Sequence, residues 1–290
     1  MHQVMRSTSI SPLLSSADYQ FVEINVPDAI STEARGINAK GDIVGGYIDA
    51  DDVTHGFLLR KEVFTTIDVP NAAVTLGAHG ITAQGDIVGS FRDAVSVAHG
   101  YLLHDGQFTQ IDFPGASGTL LNGINNTGDI SGQFGPAGNP NGSFILQDGE
   151  FHNVHVPGSL VTIVFSATNN GHVLVGHAKL PPDGATHGFV RTKSGDFQLI
   201  DFPGLSVPCT GARSINQRGD IVGIFTFIDK IEDCGKKPHG FLLRDGQYTQ
   251  IDVPGSESTG AIAINNAGVI VGRFTDKEGN ELGFKAVPRN

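Results

Sequence analysis

Apolar residues along this chain come in short runs, each closed by Gly, Asn, Asp or Pro, and no segment holds a 3.6-residue apolar period. Short runs rich in Val, Ile and Phe and bounded by turn residues read as β-strands. One phrase returns six times with Pro at its end: FVEINVP at Pro27, FTTIDVP at Pro70, FTQIDFP at Pro114, FHNVHVP at Pro157, FQLIDFP at Pro203 and YTQIDVP at Pro254. The intervals are 43, 44, 43, 46 and 51 residues. Between one phrase and the next the order is constant. A Gly/Ala/Ser stretch leads into GIN or a relative, then a turn such as NAKG or NNTG. After it come GDIVG, a variable loop, HGF and a tight turn such as RDGQ. Asn and Gly in these turns accept positive φ at little cost.

Each unit therefore predicts four short strands, of the types EARGIN, DIVGGY, HGFLLR and FTQIDVP. Four strands in about 43 residues suit a propeller blade. The chain begins with a lone fourth-strand phrase, FVEINVP, and ends with a third-strand phrase, LGFKAVP, that lacks a fourth. The N-terminal strand is expected to complete the C-terminal blade, which removes two open sheet edges. The predicted fold class is all-β, a six-bladed β-propeller of four-stranded blades over residues 19–290. A Ser-rich disordered tail is expected over residues 1–18.

The phrases GIN, GDIVG and IDVPG, repeated over residues 19–288, resemble the HAF-repeat family of bacterial, often extracellular, repeat proteins. The third strands open with His-Gly-Phe where the family name has His-Ala-Phe. The resemblance implies a repeat architecture and no particular reaction, so it carries no catalytic residue over to this chain.

The repeated residues read as frame. His55, His99, His187 and His239 open third strands in separate units, which spreads them around the wheel instead of converging them on one metal. Asp68, Asp112, Asp201 and Asp252 recur in the same way, as do Asp42, Asp86, Asp129 and Asp220. Carboxylates at such turns and strand ends hold backbone N–H groups.

Chemistry is expected where the repeat is broken. On the first strands, the residue before a small Gly/Ala/Ser position varies: Arg35, His79, Asn122, Ser166, Arg213 and Ile262. A second variable position follows IVG on the second strands: Gly46, Ser90, Gln133, His177, Ile224 and Arg273. The first strands of a propeller are innermost, so the two sets predict a two-tier polar ring near one channel mouth. Arg35, Arg213 and Arg273 are candidate anion clamps. Asn122, Ser166 and Gln133 are candidate polar contacts to a ligand, and His79 and His177 are candidates for proton transfer near neutral pH. Unit four departs most from the pattern. There Phe165, with Leu120, Leu121 and Val164, offers an apolar wall for a ligand body. The predicted ring has no Asp or Glu, so no metal and no cofactor are expected, and no GxSxG, HExxH, P-loop or CxxC motif is present.

Charge narrows the partners. With 19 basic and 30 acidic residues the chain carries −11, which repels nucleic acid and anionic membrane surfaces. No apolar run nears the roughly 18 residues that span a bilayer, so no membrane insertion is expected. Cys209 and Cys234 fall in two loops of unit five on the same face, which makes a Cys209–Cys234 disulfide geometrically reasonable and an extracytoplasmic or secreted location the expectation, with two unpaired thiols in a cytoplasmic protein as the alternative. The expected protein is a monomer that binds a small-molecule ligand at the loop-side mouth of its channel. Metal-independent acid–base turnover of lyase, isomerase or cyclase type, on an anionic or partly apolar substrate, is the catalytic form of that reading. The alternative is a non-catalytic binding module for a glycan, peptide or protein.

Overall fold

The structure is a computed structural model that describes residues 18–135, 142–169 and 171–289. The expected tail lies outside the described residues, apart from Asp18. Six four-stranded antiparallel sheets form, five from four consecutive strands each and the sixth from the last three strands with the N-terminal one, and together they make a six-bladed β-propeller. Their first strands are Ser31–Ile37, Val74–Ile81, Thr119–Ile124, Val161–Ala167, Thr210–Ile215 and Ser258–Ile264. Each of these touches the first strands of both neighbouring blades, including Ser258–Ile264 against Ser31–Ile37, so the ring is closed. The strand Tyr19–Ile24 completes blade six, as the sequence predicts. It lies antiparallel on Glu281–Pro288, with Tyr19 opposite Pro288 and Ile24 opposite Gly283.

Inside each blade one cross-strand pair recurs. The glycine of the second strand stands opposite the aromatic residue of the third: Gly45–Phe57, Gly89–Tyr101, Gly132–Phe144, Gly176–Phe189, Gly223–Phe241 and Gly272–Phe284. All six aromatic residues are 0% exposed, and burying a side chain of this size contributes about 2–3 kcal/mol. The ring lies across the glycine, so a Cβ on Gly45 would stand 2.8 Å from Phe57. The fourth-strand aromatic then packs on the same ring, from Phe57–Phe64 at 5.5 Å to Phe21–Phe284 at 5.8 Å in the blade that the N-terminal strand completes.

Polar groups join blade to blade. A buried threonine stands at the start of each first strand, and its Oγ1 accepts the backbone N–H of the residue that precedes the phrase-ending proline. Examples are Thr32 with Val26 at 3.1 Å, Thr210 with Phe202 at 3.1 Å and Thr259 with Val253 at 3.0 Å. The asparagine of GIN closes its own turn and also donates across the blade boundary. Asn38 Nδ2 reaches Thr82 O, Asn125 reaches Thr168 O, Asn216 reaches Asn265 O and Asn265 reaches Asn38 O.

The third-strand histidines stay within their own blades. His55, His99, His187 and His239 place Nδ1 2.8–2.9 Å from Asp68, Asp112, Asp201 and Asp252. Burial opposes charge on His55 and His99, but Asp68 with Asp49, and Asp112 with Asp93, outweigh it and raise both above the ordinary 6.5. The hydrogen bond to Asp252 raises His239 in the same direction.

Two outcomes follow. Gly176→Ala forces a methyl into Phe189 and into the carbonyl of Ile163, so it should cost about 3 kcal/mol, or roughly 5 °C or more in Tm. Gly260→Ala, whose Cβ would meet only ordinary contacts from 3.5 Å, should leave Tm nearly unchanged. For His55, His99 and His239, folded-state values above the unfolded one mean that the stabilisation is complete below 6.5 and lost as pH climbs through the raised values. The part of the unfolding temperature carried by these pairs should therefore fall by about 2–4 °C between about pH 6 and pH 8.5, read as the difference between wild type and a variant without the three aspartates, Asp68→Asn, Asp112→Asn and Asp252→Asn combined. His104 beside Asp86 is raised in the same direction and cancels in that difference.

Candidate functional site

Every first strand carries a β-bulge at the same place. Pairing with the second strand jumps from Ala34 to Gly36, Ala78 to Gly80, Leu121 to Gly123, Val164 to Ser166, Ala212 to Ser214 and Ala261 to Ala263. The skipped residues are Arg35, His79, Asn122, Phe165, Arg213 and Ile262. A bulge leaves its extra residue unpaired and re-aims the side chain, and all six line the central channel. The second-strand glycine permits this. The carbonyl preceding the paired residue, such as Glu33 O over Gly45 or Ile163 O over Gly176, occupies the place of the missing Cβ.

Ser166 is corrected by this register. It takes the small-residue place, level with Gly36, Gly80, Gly123, Ser214 and Ala263, and Phe165 is the ring residue of blade four. The turn of that blade is one residue longer: Thr168 N bonds Val173 O where Asn38 N bonds Asp42 O. The small residues are small because first-strand backbones touch there. A Cβ on Gly80 would stand 2.8 Å from Ile124 N, and one on Gly123 would stand 2.7 Å from Phe165 O. Ser166 still lines the turn-side part of the channel.

On the loop side the six bulge residues floor a cup of about 300 Å³. Its wall adds Glu33, Ile224, Pro238, Gly260 and Arg273. The second expected tier is thus incomplete. Of its members only Ile224 and Arg273 reach the cup. Ser90 turns sideways to accept Leu121 N through Oγ at 3.1 Å. Gln133, opposite Leu120, lines neither central cavity. His177 sits behind the ring, tilted on Phe165 at 5.4 Å between centroids.

The expectation of a ring without carboxylates is also corrected. Glu33, two residues before Arg35 on the same strand, faces the cup. It accepts from Arg35 Nε at 2.8 Å and stands 3.4 Å from Arg273 Nη1. Burial would raise its carboxyl, but the two arginines outweigh this and hold it at about 2. Its signal in the sequence is the −2 phase relative to the bulge, where the other five blades carry Gly77, Leu120, Ile163, Gly211 and Gly260. Arg35 is further fixed by donating from Nη1 to Leu76 O at 2.8 Å.

Among the described residues Arg213 has no such partner. Its guanidinium carbon lies 4.2 Å over the centroid of Phe165, and its buried Nε meets no acceptor. Burial and the neighbouring Arg273 pull it down to about 10, so it remains a cation at neutral pH. Three arginines and one carboxylate thus leave the cup positive at the hub of a protein of net charge −11. His79 is held at about 4 by burial and by Arg35, with Nδ1–H donating to Leu121 O. His177 is held at about 3 by burial, Arg213 and Lys179. Asn122 Nδ2 is spent on Val164 O at 2.8 Å.

The blade-five loop borders the cup. Cys209 and Cys234 form the expected disulfide, with Cα atoms 5.6 Å apart. Four residues beyond Cys234, Pro238 lines the cup while its carbonyl accepts Thr259 N at 2.8 Å. Among the described residues no three His, Cys, Asp or Glu side chains converge as metal ligands, and no helix is long and apolar enough to cross a membrane.

No protein-family profile matches the chain, and no curated protein matches it. Solved structures do. A gluconolactonase from Xanthomonas campestris is 14% identical with a TM-score of 0.55, over 94% of this chain and 91% of that one. A fucose-specific lectin from Aleuria aurantia is 11% identical at 0.54, over 94% and 93%. A streptogramin B lyase is 14% identical at 0.50, over 95% and 100%. At these identities the likeness is one of fold: this chain shares the propeller architecture of proteins that bind and of proteins that catalyse.

Proposed function

We propose that this protein is an extracytoplasmic, small-molecule-binding propeller that takes an anionic ligand in the loop-side cup of its hub. The observation that carries the reading is Arg213, a guanidinium inside the cup with Nε buried and without an acceptor among the described residues. Glu33 acts on it only through space, being bonded to Arg35; a buried guanidinium without an acceptor is costly to a fold, and a ligand anion would supply one. Arg273 lines the same cup and depresses Arg213, so one anion could draw on both guanidinium groups. The disulfide supports the extracytoplasmic location, because such bonds persist in oxidising compartments.

Binding is favoured over acid–base turnover. His79 and His177 are both held neutral well below pH 7, and His177, packed on Phe165, does not line the cup. Glu33 is ionised and committed to two arginines. A general acid or base works best with a pKa near the operating pH, and the cup holds none with such a value. The resemblance to solved lectins and enzymes leaves this choice to the site itself.

The test is Arg213→Met, read by thermal unfolding in sodium benzoate and sodium phosphate against chloride at equal ionic strength. Wild type should gain Tm in at least one of the two salts, by several degrees at concentrations about a hundredfold above Kd. The variant should lose that gain while its own Tm in chloride holds or rises by about 2–4 °C, since the buried guanidinium without an acceptor is gone. Equal behaviour of wild type in all three salts would remove the reading.

A further inference from the structure

We propose that the ligand is a monocarboxylate on a compact apolar body, and that Glu33 is the residue that sets this specificity. The inference rests on the anion-binding reading above and goes on to the class of anion and the residue that selects it.

The cup is asymmetric. Its blade-one side carries Arg35 and Glu33, already joined at 2.8 Å, with Arg35 also bound to Leu76 O. That cation has its counter-charge in place. Arg273 is held on the same carboxylate only loosely, at 3.4 Å, and its side chain is 45% exposed. Arg213 has no hydrogen-bond partner among the described residues, and Phe165 supports its flat face. Donor capacity for a ligand is therefore concentrated on Arg213 and on the free edge of Arg273. Two guanidinium groups lining one cup suit one planar carboxylate.

The rest of the wall decides what may accompany that carboxylate. Ile224, Pro238 and Ile262 come from blades five and six, next to the two open arginines. A ligand anchored there lays its body on apolar side chains. A second carboxylate on the same small body meets that wall, where it would be desolvated without a partner, or meets Glu33, where it is repelled. At about 300 Å³ the space suits a body of one ring or a short branched chain.

Glu33 is thus a resident anion with two effects. It holds Arg35 and Arg273 in place, and it lowers the positive charge of the cup by one unit. Replacing it with the neutral isostere raises that charge for every ligand. A dianion feels the change twice as strongly as a monoanion, because interaction energy scales with the product of charges. Removal of Glu33 should then strengthen binding, with the larger gain going to the doubly charged ligand. A purely structural glutamate would weaken both equally.

The experiment compares benzoate with phthalate, the same ring carrying one or two carboxylates, by calorimetric titration of wild type and of Glu33→Gln, with inorganic phosphate as a third probe. Wild type should bind benzoate about tenfold more tightly than phthalate. In Glu33→Gln that ratio should fall by about tenfold. Phthalate or phosphate binding wild type more tightly than benzoate would overturn this inference and leave the anion-binding function standing. An unchanged ratio in Glu33→Gln, with its thermal unfolding still cooperative, would remove Glu33 as the selector. The wild-type comparison needs no variant, so it decides the ligand class even if Glu33→Gln fails to fold. Binding of none of the three probes would overturn both readings.

Discussion

The molecule depends on a missing methyl group. At the middle of each second strand a glycine lets two things occupy one place, the aromatic ring of the third strand and the carbonyl of the bulged first strand. The ring provides the blade with its core. The carbonyl allows the first strand to carry one residue more than its partner. Packing density in protein interiors leaves no slack for a Cβ at such a contact, so the core and the bulge are a single geometric commitment. The side chain at the bulge is then aimed down the axis, and six of them make the floor of the cup. Fold and site are linked through this contact.

Much of the wheel was readable in the chain because its repeated phrases each satisfy a local demand. HGF gives the aromatic ring and the histidine that bonds its own blade's aspartate. GDIVG gives the glycine and the turn-closing carboxylate. The lone FVEINVP phrase predicts the completed sixth blade, and it pairs with Glu281–Pro288 as expected. Arg35, His79, Asn122 and Arg213 were visible as ring members because they vary where their neighbours do not. What was hidden depends on register. Ser166 and Phe165 differ by one position, and a single extra turn residue between Thr168 and Val173 decides which faces the axis. Text alignment on the asparagine of that turn chooses the wrong one. Glu33 was hidden for a related reason: strand alternation continues up to the bulge, so two residues of one strand face inward.

The electrostatics run against the bulk composition. A chain of net charge −11 gathers three arginines at its hub and gives them one glutamate. The acidic residues of the frame are mostly spent on turns and on histidines at the periphery, as Asp68 and Asp252 are. Global charge thus governs how the protein meets large polyanions, and the axis is a separate electrostatic compartment. The buried ring of threonine and asparagine hydrogen bonds between blades leaves that compartment walled by satisfied backbone.

The bulge residues have one further property. Being unpaired, they contribute no ladder hydrogen bond, and they stand apart from the aromatic clusters that hold each blade together. Exchanging one of them leaves those clusters and the strand ladders untouched and costs mainly the side-chain bond to the next blade that Arg35, His79 and Asn122 make. Gene duplication that copies a blade therefore copies a blank slot along with it, and the slots can diverge singly. A hub built this way is a six-letter word whose spelling can drift toward a new guest without the wheel having to be redesigned.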